Sequence, residues 1–327
     1  MQPAPSNSHT MRIITSTLLS IICLAAHAED LIRLGNLKFA HYGAVSYIKE
    51  IAPQCGFRVE ERLFSKGVDM LPAILAGELD VAASASDAAI VGRSVGAPIY
   101  AVAGFSKGGA RLVARTDQPI QSLADLKGKT VGVTRGGAHE LLLAAELAQA
   151  GLTWSDQAGS DVRIIYLGFS ELNQALAARQ IDAMMQSEPY SAQAINKKLG
   201  IEVMKPYDTP LGEPVRALVM TESLYQKRDI ALKFMQCFVR ATRMFQKHPH
   251  MAERYVRHTL FKGQVSHDDY EAAIANAPYS LDLSESHIQI TTDLMMKYGI
   301  GRMTAPPRAQ NWVKLDVLEE AKRLEKE

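Results

Sequence analysis

Apolar residues recur along this chain in short runs separated by amphipathic stretches, and the spacing predicts a succession of elements. Leu31–Gly35 reads as a strand, followed by a loop at Asn36–Gly43 and a helix beginning at Val45–Ile51. Phe57–Phe64 alternates apolar and charged positions, the period-two pattern of a strand with one buried face. A turn at Ser65–Gly67 leads into a helix over Val68–Ala76, which Gly77 stops. Leu79–Ala83 and Ile99–Ala103 are two more strands, and between them Ser84-Ala85-Ser86-Asp87 offers cap chemistry for a helix running to Ser94. Strand and helix alternate throughout, which predicts an α/β layered lobe with a mostly parallel sheet.

The series then repeats. After Arg111–Arg115, strands are expected at Thr130–Val133, Val162–Leu167 and Ile181–Met185. Helices are expected after Gly136-Gly137, from Ser170 to Arg179, and from Ser187-Glu188-Pro189-Tyr190 onward. Val215–Met220 reads as a strand returning to the first lobe, and the rest of the chain is helical in pattern over Gln226–His248, Met251–Leu260, Glu271–Asn276, Ser284–Tyr298 and Asn311–Lys326. A lobe, a second lobe and a return require two crossings, placed near residues 110–118 and 208–216. The expected division is residues 1–28 as a signal peptide, 29–115 with 216–327 as the first lobe, and 116–215 as the second. Two crossings make a hinge and set a cleft between the lobes.

The N-terminus adds a compartment. Met11-Arg12 precedes an apolar run from Ile13 to Ala26, and Ala26-His27-Ala28 fits a small-x-small cleavage site. The run is shorter than the roughly 20 residues a membrane span needs, so export and a periplasmic location are expected. Cleavage removes Cys23 and leaves Cys55 and Cys237, which an oxidising compartment would allow to pair. The apolar context Phe234–Val239 around Cys237 favours two separate buried thiols. With 327 residues, 22% charged positions and a formal net charge of +1, the chain has no large single-sign field. That disfavours a nucleic-acid partner and leaves a small molecule as the expected ligand. A monomer without cofactor or metal is expected; His248-Pro249-His250 reads as a turn rather than a metal site, because no second ligand cluster accompanies it.

Three stretches carry a resemblance. They are Met70–Val81 with Leu-Pro-Ala-Ile-Leu-Ala-Gly-Glu-Leu-Asp at its centre, Ser122–Val133 with Leu126-Lys127-Gly128-Lys129 before a strand, and Ala175–Ala183 followed by Glu188-Pro189-Tyr190. Taken in order they resemble the nitrate/sulfonate/taurine and pyrimidine-precursor binding proteins of ABC importers, over roughly residues 30–225. The resemblance implies a type II periplasmic-binding-protein fold that closes on its ligand and docks on a membrane ABC permease. Met184-Met185-Gln186-Ser187 departs from the aromatic residue many relatives carry there.

In sheets of this kind ligands sit beyond the carboxyl ends of the strands, which singles out particular loops. Thr134, Arg135, Gly136, Gly137 and Ala138 form a glycine-rich helix start, whose free N–H groups and dipole suit an anion. Arg135 offers a bidentate contact, and the alternative for it is a surface arginine. Ser84 and Ser86 form the matching start in the first lobe, as donors or as caps. Phe39, His41 and Tyr42 offer an aromatic wall, with His41 as a donor or pH-sensitive contact. Ser65, Lys66 and Phe105 lie on further first-lobe loops. Glu188 suits a ligand amine or only supports its helix.

The expected function is capture of a small organic anion, a sulfonate or an aromatic carboxylate. An aminopyrimidine ligand, a receptor-docked sensor, and a synthase are the alternatives. The synthase relatives of the family carry a cysteine-rich motif that this chain lacks, and no G-x-S-x-G, H-E-x-x-H or Walker motif occurs.

Overall fold

The structure, a computed structural model, describes residues 1–2 and 30–325. The expected signal segment and Cys23 lie outside the described residues. Eleven strands are present among the described residues: β1 Asp30–Leu37, β2 Phe57–Phe64, β3 Val81–Ala85, β4 Ile99–Lys107, β5 Ala110–Arg115, β6 Thr130–Val133, β7 Trp154–Ser155, β8 Val162–Tyr166, β9 Ala183–Ser187, β10 Gly200–Met204 and β11 Val215–Thr221. They form a five-stranded sheet in the order β2-β1-β3-β11-β4 and a six-stranded sheet in the order β10-β5-β9-β6-β8-β7. Read from its other side, the second sheet runs β8-β6-β9-β5-β10 inside its β7 edge, the same build as the first. In each sheet one strand is antiparallel to its neighbours, β11 in the first and β5 in the second. These are the two strands that arrive from the other lobe. The chain is therefore α/β with two lobes and a helical C-terminal section.

The first crossing differs from the expected one. Ala110–Arg115 was assigned to the first lobe, but β5 pairs with β9 and β10 in the second sheet. The chain crosses at Gly108-Gly109, where φ is 72° and 85°. Only glycine visits this left-handed region readily, and a Cβ on Gly108 would also meet the Asn276 carbonyl at 2.4 Å. The crossing is thus set by the glycine pair, not by the charged end of β5. The return crossing lies between β10 and β11 and is bonded to the first: Gly108 N–H donates to the Pro214 carbonyl at 3.0 Å, and Ala110 N–H to the Tyr207 hydroxyl at 3.0 Å.

Strand composition follows position. β2 is an edge strand and keeps Arg58, Glu60 and Arg62 exposed on alternate positions, as edge strands do, while Glu61 turns inward to Ser46 and Lys49. Central β11 is buried along its whole length. β7 and β10, both at sheet edges, were not foreseen. β7 is two residues long, and the middle of β10 is exposed, so neither presents an apolar run.

The C-terminal helices pack behind the first sheet. Arg228–Lys247 lies against the helices Gly43–Ile51 and Asp316–Leu324 and buries Phe234, Phe238 and Phe245. The expectation of two separate thiols is corrected here: Cys55 and Cys237 form a disulfide, with Cα atoms 6.0 Å apart. Cys237 is fully buried on one face of its helix, and the short helix Ala52–Cys55 delivers the partner to that face. Apolar sequence context reports burial equally well for a thiol and for half of a disulfide. Pro249 opens the helix Pro249–Arg254, with His248 at its N-cap. Among the described residues no helix is long and apolar enough to cross a membrane.

Candidate ligand-binding site

The carboxyl ends of β1, β3, β6 and β8 face one another across the cleft. β11 enters its sheet antiparallel, so its first residues lie at the same end; Arg216 pairs with Ala85 at the end of β3. Between the lobes lies a tight chamber of about 40 Å³. Phe39, His41, Tyr42, Asp87 and Arg216 line it from the first lobe, and Gly137, Ala138, His139 and Phe169 from the second. A wider vestibule of about 600 Å³, open to solvent, adjoins it beside Lys66, Tyr166 and Tyr190.

The lobes touch around this chamber. The Phe39 ring meets Phe169 edge-on at 5.2 Å, and the Asp87 carboxylate accepts the backbone N–H of Ala138 from the opposite lobe. Ala138 opens the helix Ala138–Gln149, whose N-cap, Gly137, provides no side-chain cap. The carboxylate supplies that missing acceptor and meets the positive end of the helix dipole. The structure is in a closed arrangement.

A few buried polar groups interrupt the mostly apolar chamber lining. Arg216 is 1% exposed. Its Nε donates to His41 Nε2 at 3.2 Å and its Nη2 to the Gly108 carbonyl at 3.0 Å, while Nη1 has no partner. Among the described residues no carboxylate lies within ion-pair distance of this guanidinium, although Asp87 is near enough to feel its charge. Because arginine has no acceptor, His41 Nε2 must carry the lone pair, which places the proton of the neutral ring on Nδ1. His41 Nδ1 is also buried and unpartnered. Burial first, then the charge of Arg216, holds the His41 pKa well below its ordinary 6.5, so the pH-sensitive role expected of His41 is not available near neutrality. His139 is lowered to about 3 by burial and Arg216, and its ring donates to the Gly109 carbonyl. That leaves Nε2, unpartnered, as an acceptor. Burial raises the Asp87 carboxyl from 3.8 to about 6 against the opposing pull of Arg216, and its Oδ1 is unpartnered.

Residues 26–257 match the profile of the NMT1-like family. The chain belongs to this family. It is 24% identical, over 74% of its length and 76% of the relative's, to a putative ABC transporter periplasmic binding protein of Brachyspira hyodysenteriae. Among solved structures it superposes with TM-score 0.75 on the ligand-binding component of an ABC-type import system from Staphylococcus aureus, at 20% identity over 90% of this chain and 99% of that one. The alkanesulfonate-binding protein SsuA of Xanthomonas axonopodis, bound to MOPS, gives TM-score 0.73 at 16% identity over 87% and 98%. These likenesses establish the periplasmic-binding-protein fold.

Of the residues expected at the site of this NMT1-like protein, Phe39, His41, Tyr42, Lys66, Thr134, Arg135, Gly136, Gly137 and Ala138 line the chamber. Several are committed elsewhere. Thr134 donates its hydroxyl to the Leu167 carbonyl at 2.9 Å. The Arg135 guanidinium lies 3.7 Å above the Tyr166 ring and pairs with Asp156 at 2.7 Å, half exposed. Ser65 lies in the vestibule, and Phe105 is buried behind Tyr42 at 4.7 Å.

The first-lobe serines do not cap their helix. Ala85 is the N-cap of Ser86–Ser94, with no side-chain bond; Ser84 donates to the Ala85 carbonyl at 3.0 Å and lines a separate small cavity, and Ser86 is buried.

Glu188 lies outside the chamber. It is fully buried and paired with Arg111, and it accepts from Asn276 Nδ2 at 3.0 Å and Ala192 N–H at 3.2 Å. Arg111 also donates to the Ala272 carbonyl at 2.8 Å. This cluster ties the second lobe to the C-terminal helices beside the hinge, and it explains the Glu188 carboxylate without a ligand.

Sequence does not single out Arg216, His139 or Phe169, and it offers Asp87 only within the cap stretch Ser84–Asp87. A signal existed for Arg216: it is the one charged residue in the apolar run Val215–Thr221. His139 follows the glycine pair at the first turn of its helix.

Proposed function

We propose that this chain is the extracytoplasmic solute-binding component of an ABC importer, and that it takes a small organic anion, a sulfonate or aromatic carboxylate, between its lobes. The observation that carries this reading is Arg216, a buried guanidinium lining the chamber with one N–H face free and no carboxylate partner. A buried cation is costly unless it is paired, and an acidic ligand group would complete it with a charge-assisted bond. The free donor of His41 lies beside it. The names of the Brachyspira and Xanthomonas proteins support the importer role and the sulfonate class. The chamber walls of Phe39, Tyr42 and Phe169 suit an apolar or aromatic ligand body.

In the mechanism, open lobes rotate about the crossings at Gly108-Gly109 and between β10 and β11. Ligand contacts to both lobes favour the closed form, which a membrane permease then recognises. Residues 1–28 direct export, and the mature chain acts as a monomer in the periplasm without catalysis. The test is a thermal-shift panel of alkane- and arylsulfonates, benzoate, phthalate, nitrate and aminopyrimidines. A ligand at a hundred times its Kd adds about 2.7 kcal/mol, a rise of several degrees. A shift with acids is expected; a shift with none of them, or with aminopyrimidines alone, would overturn the anion reading.

A further inference from the structure

The donors at the glycine-rich helix start are already taken by carboxylates of the chain itself. Gly136 N–H donates to Glu140 of the same helix, and Ala138 N–H donates to Asp87 of the opposite lobe. Free N–H groups at a helix start are the donors an acidic ligand uses. Asp87 Oδ2 lies 3.9 Å from where a Cβ on Gly137 would stand, so the carboxylate rests against the N-cap. The same carboxylate is near enough to Arg216 to feel its charge. Asp87, Gly137, Ala138 and Arg216 all line the chamber.

The two contacts respond differently to opening of the lobes. Glu140 reaches back along its own helix and stays with the helix start however the lobes stand. Asp87 belongs to the helix Ser86–Ser94 of the first lobe, and Ala138 opens the helix Ala138–Gln149 of the second. Parting the lobes breaks the Asp87–Ala138 contact and returns both groups to water. A ligand must enter through that open form, because a chamber of about 40 Å³ holds a few waters at most.

Resting on the anion reading above, we infer that Asp87 is an internal competitor for the ligand's acid group: in the empty closed protein its carboxylate stands at the helix start and beside Arg216, and an acidic ligand binds by displacing it. The competition is one of position and of charge. Ala138 has a single N–H and serves one strong acceptor at a time. Two carboxylates drawn to one guanidinium in a dry site repel each other. Asp87 therefore sets a threshold that the acid group and the rest of the ligand must together exceed. It is a specificity-determining residue that the bound ligand need not touch.

The experiment titrates wild type, Asp87→Asn and Asp87→Ala calorimetrically at pH 8 with benzoate, benzenesulfonate and propanesulfonate, and with benzamide as an uncharged control. The melting transition of each variant checks its folding. Asparagine keeps an acceptor for Ala138 N–H and loses only the charge; alanine loses both. At least one acid is expected to bind Asp87→Asn tenfold or more tightly than wild type, the change for one like charge removed from a desolvated site. Asp87→Ala is expected to bind it at least as tightly as Asp87→Asn does. Benzamide is expected to gain less than about threefold, whereas a general loosening of the lobes would move charged and uncharged compounds alike. Acids that bind the folded variants no more tightly than wild type, or that gain no more than benzamide does, would overturn the inference and leave the anion reading standing. If no acid binds wild type or either variant, the anion reading fails and the inference falls with it.

Discussion

Asp87→Asn makes the electrostatics of the chamber measurable without any ligand. In the folded chain the Asp87 carboxyl is raised from 3.8 to about 6, chiefly by burial. A folded-state value above the unfolded one means that the folded protein holds this proton between those pH values while the unfolded chain has released it. The stability from this group is therefore greatest in acid and is lost as pH rises through about 6. Above that, an ionised Asp87 costs about 3 kcal/mol, at about 1.36 kcal/mol for each tenfold change in proton affinity. Asparagine keeps an oxygen for the Ala138 N–H and removes the charge. At pH 8 the variant should be more stable than wild type by about 2–3 kcal/mol, or about 4 °C in Tm for a chain of this size. At pH 4 the two should coincide. Urea titrations at both pH values provide the test. A variant equal to or weaker than wild type at pH 8 would refute the claim that the carboxylate is held against its own desolvation. It would also show that Arg216 compensates it fully.

Three further outcomes follow from the same geometry. Below pH 6.5 the unfolded chain protonates His139 while the folded chain, at about 3, does not; stability is lost as pH falls, and His139→Asn should recover about 2 kcal/mol relative to wild type at pH 5 in urea melts. Glu188→Ala leaves Arg111 paired with Glu202 and the Ala272 carbonyl but removes the acceptor of Arg111 Nε, Asn276 Nδ2 and Ala192 N–H beside the hinge; it should cost about 1–3 kcal/mol of stability, while the Kd of the folded fraction changes less than about threefold. Reduction of Cys55–Cys237, which closes a separation of 182 residues, should cost about 2–5 kcal/mol and lower the urea midpoint without abolishing ligand binding.

The layered α/β build was legible because each strand in it is short, apolar and bounded by glycine or polar turns. Two strands share that pattern with their neighbours yet belong to the opposite lobe. Arg111–Arg115 was visible as a strand but not its sheet, because pairing partners are a property of the whole topology. The chamber lining was legible at the glycine-rich helix start Thr134–Ala138 and at the aromatic loop of Phe39, His41 and Tyr42. It was hidden where a side chain reaches it from an unexpected direction. Arg216 arrives on an antiparallel strand, so its position at the strand's beginning, not its end, faces the cleft. Glu188 and Arg135 look like ligand contacts in sequence because charge beside a helix start is ambiguous. Their partners, Arg111 and Asp156, are 77 and 21 residues distant.

The central claim is that Arg216 holds the acid group of a ligand between the lobes. Isothermal titration of an acid identified in the thermal-shift panel, against wild type, Arg216→Met and Arg135→Met, tests it most directly. The account predicts one site per chain in the wild type, a loss of at least about a hundredfold in affinity for folded Arg216→Met, and a change of less than about fivefold for Arg135→Met. Arg216→Met that binds the acid as wild type does, or Arg135→Met that loses it, would contradict the claim.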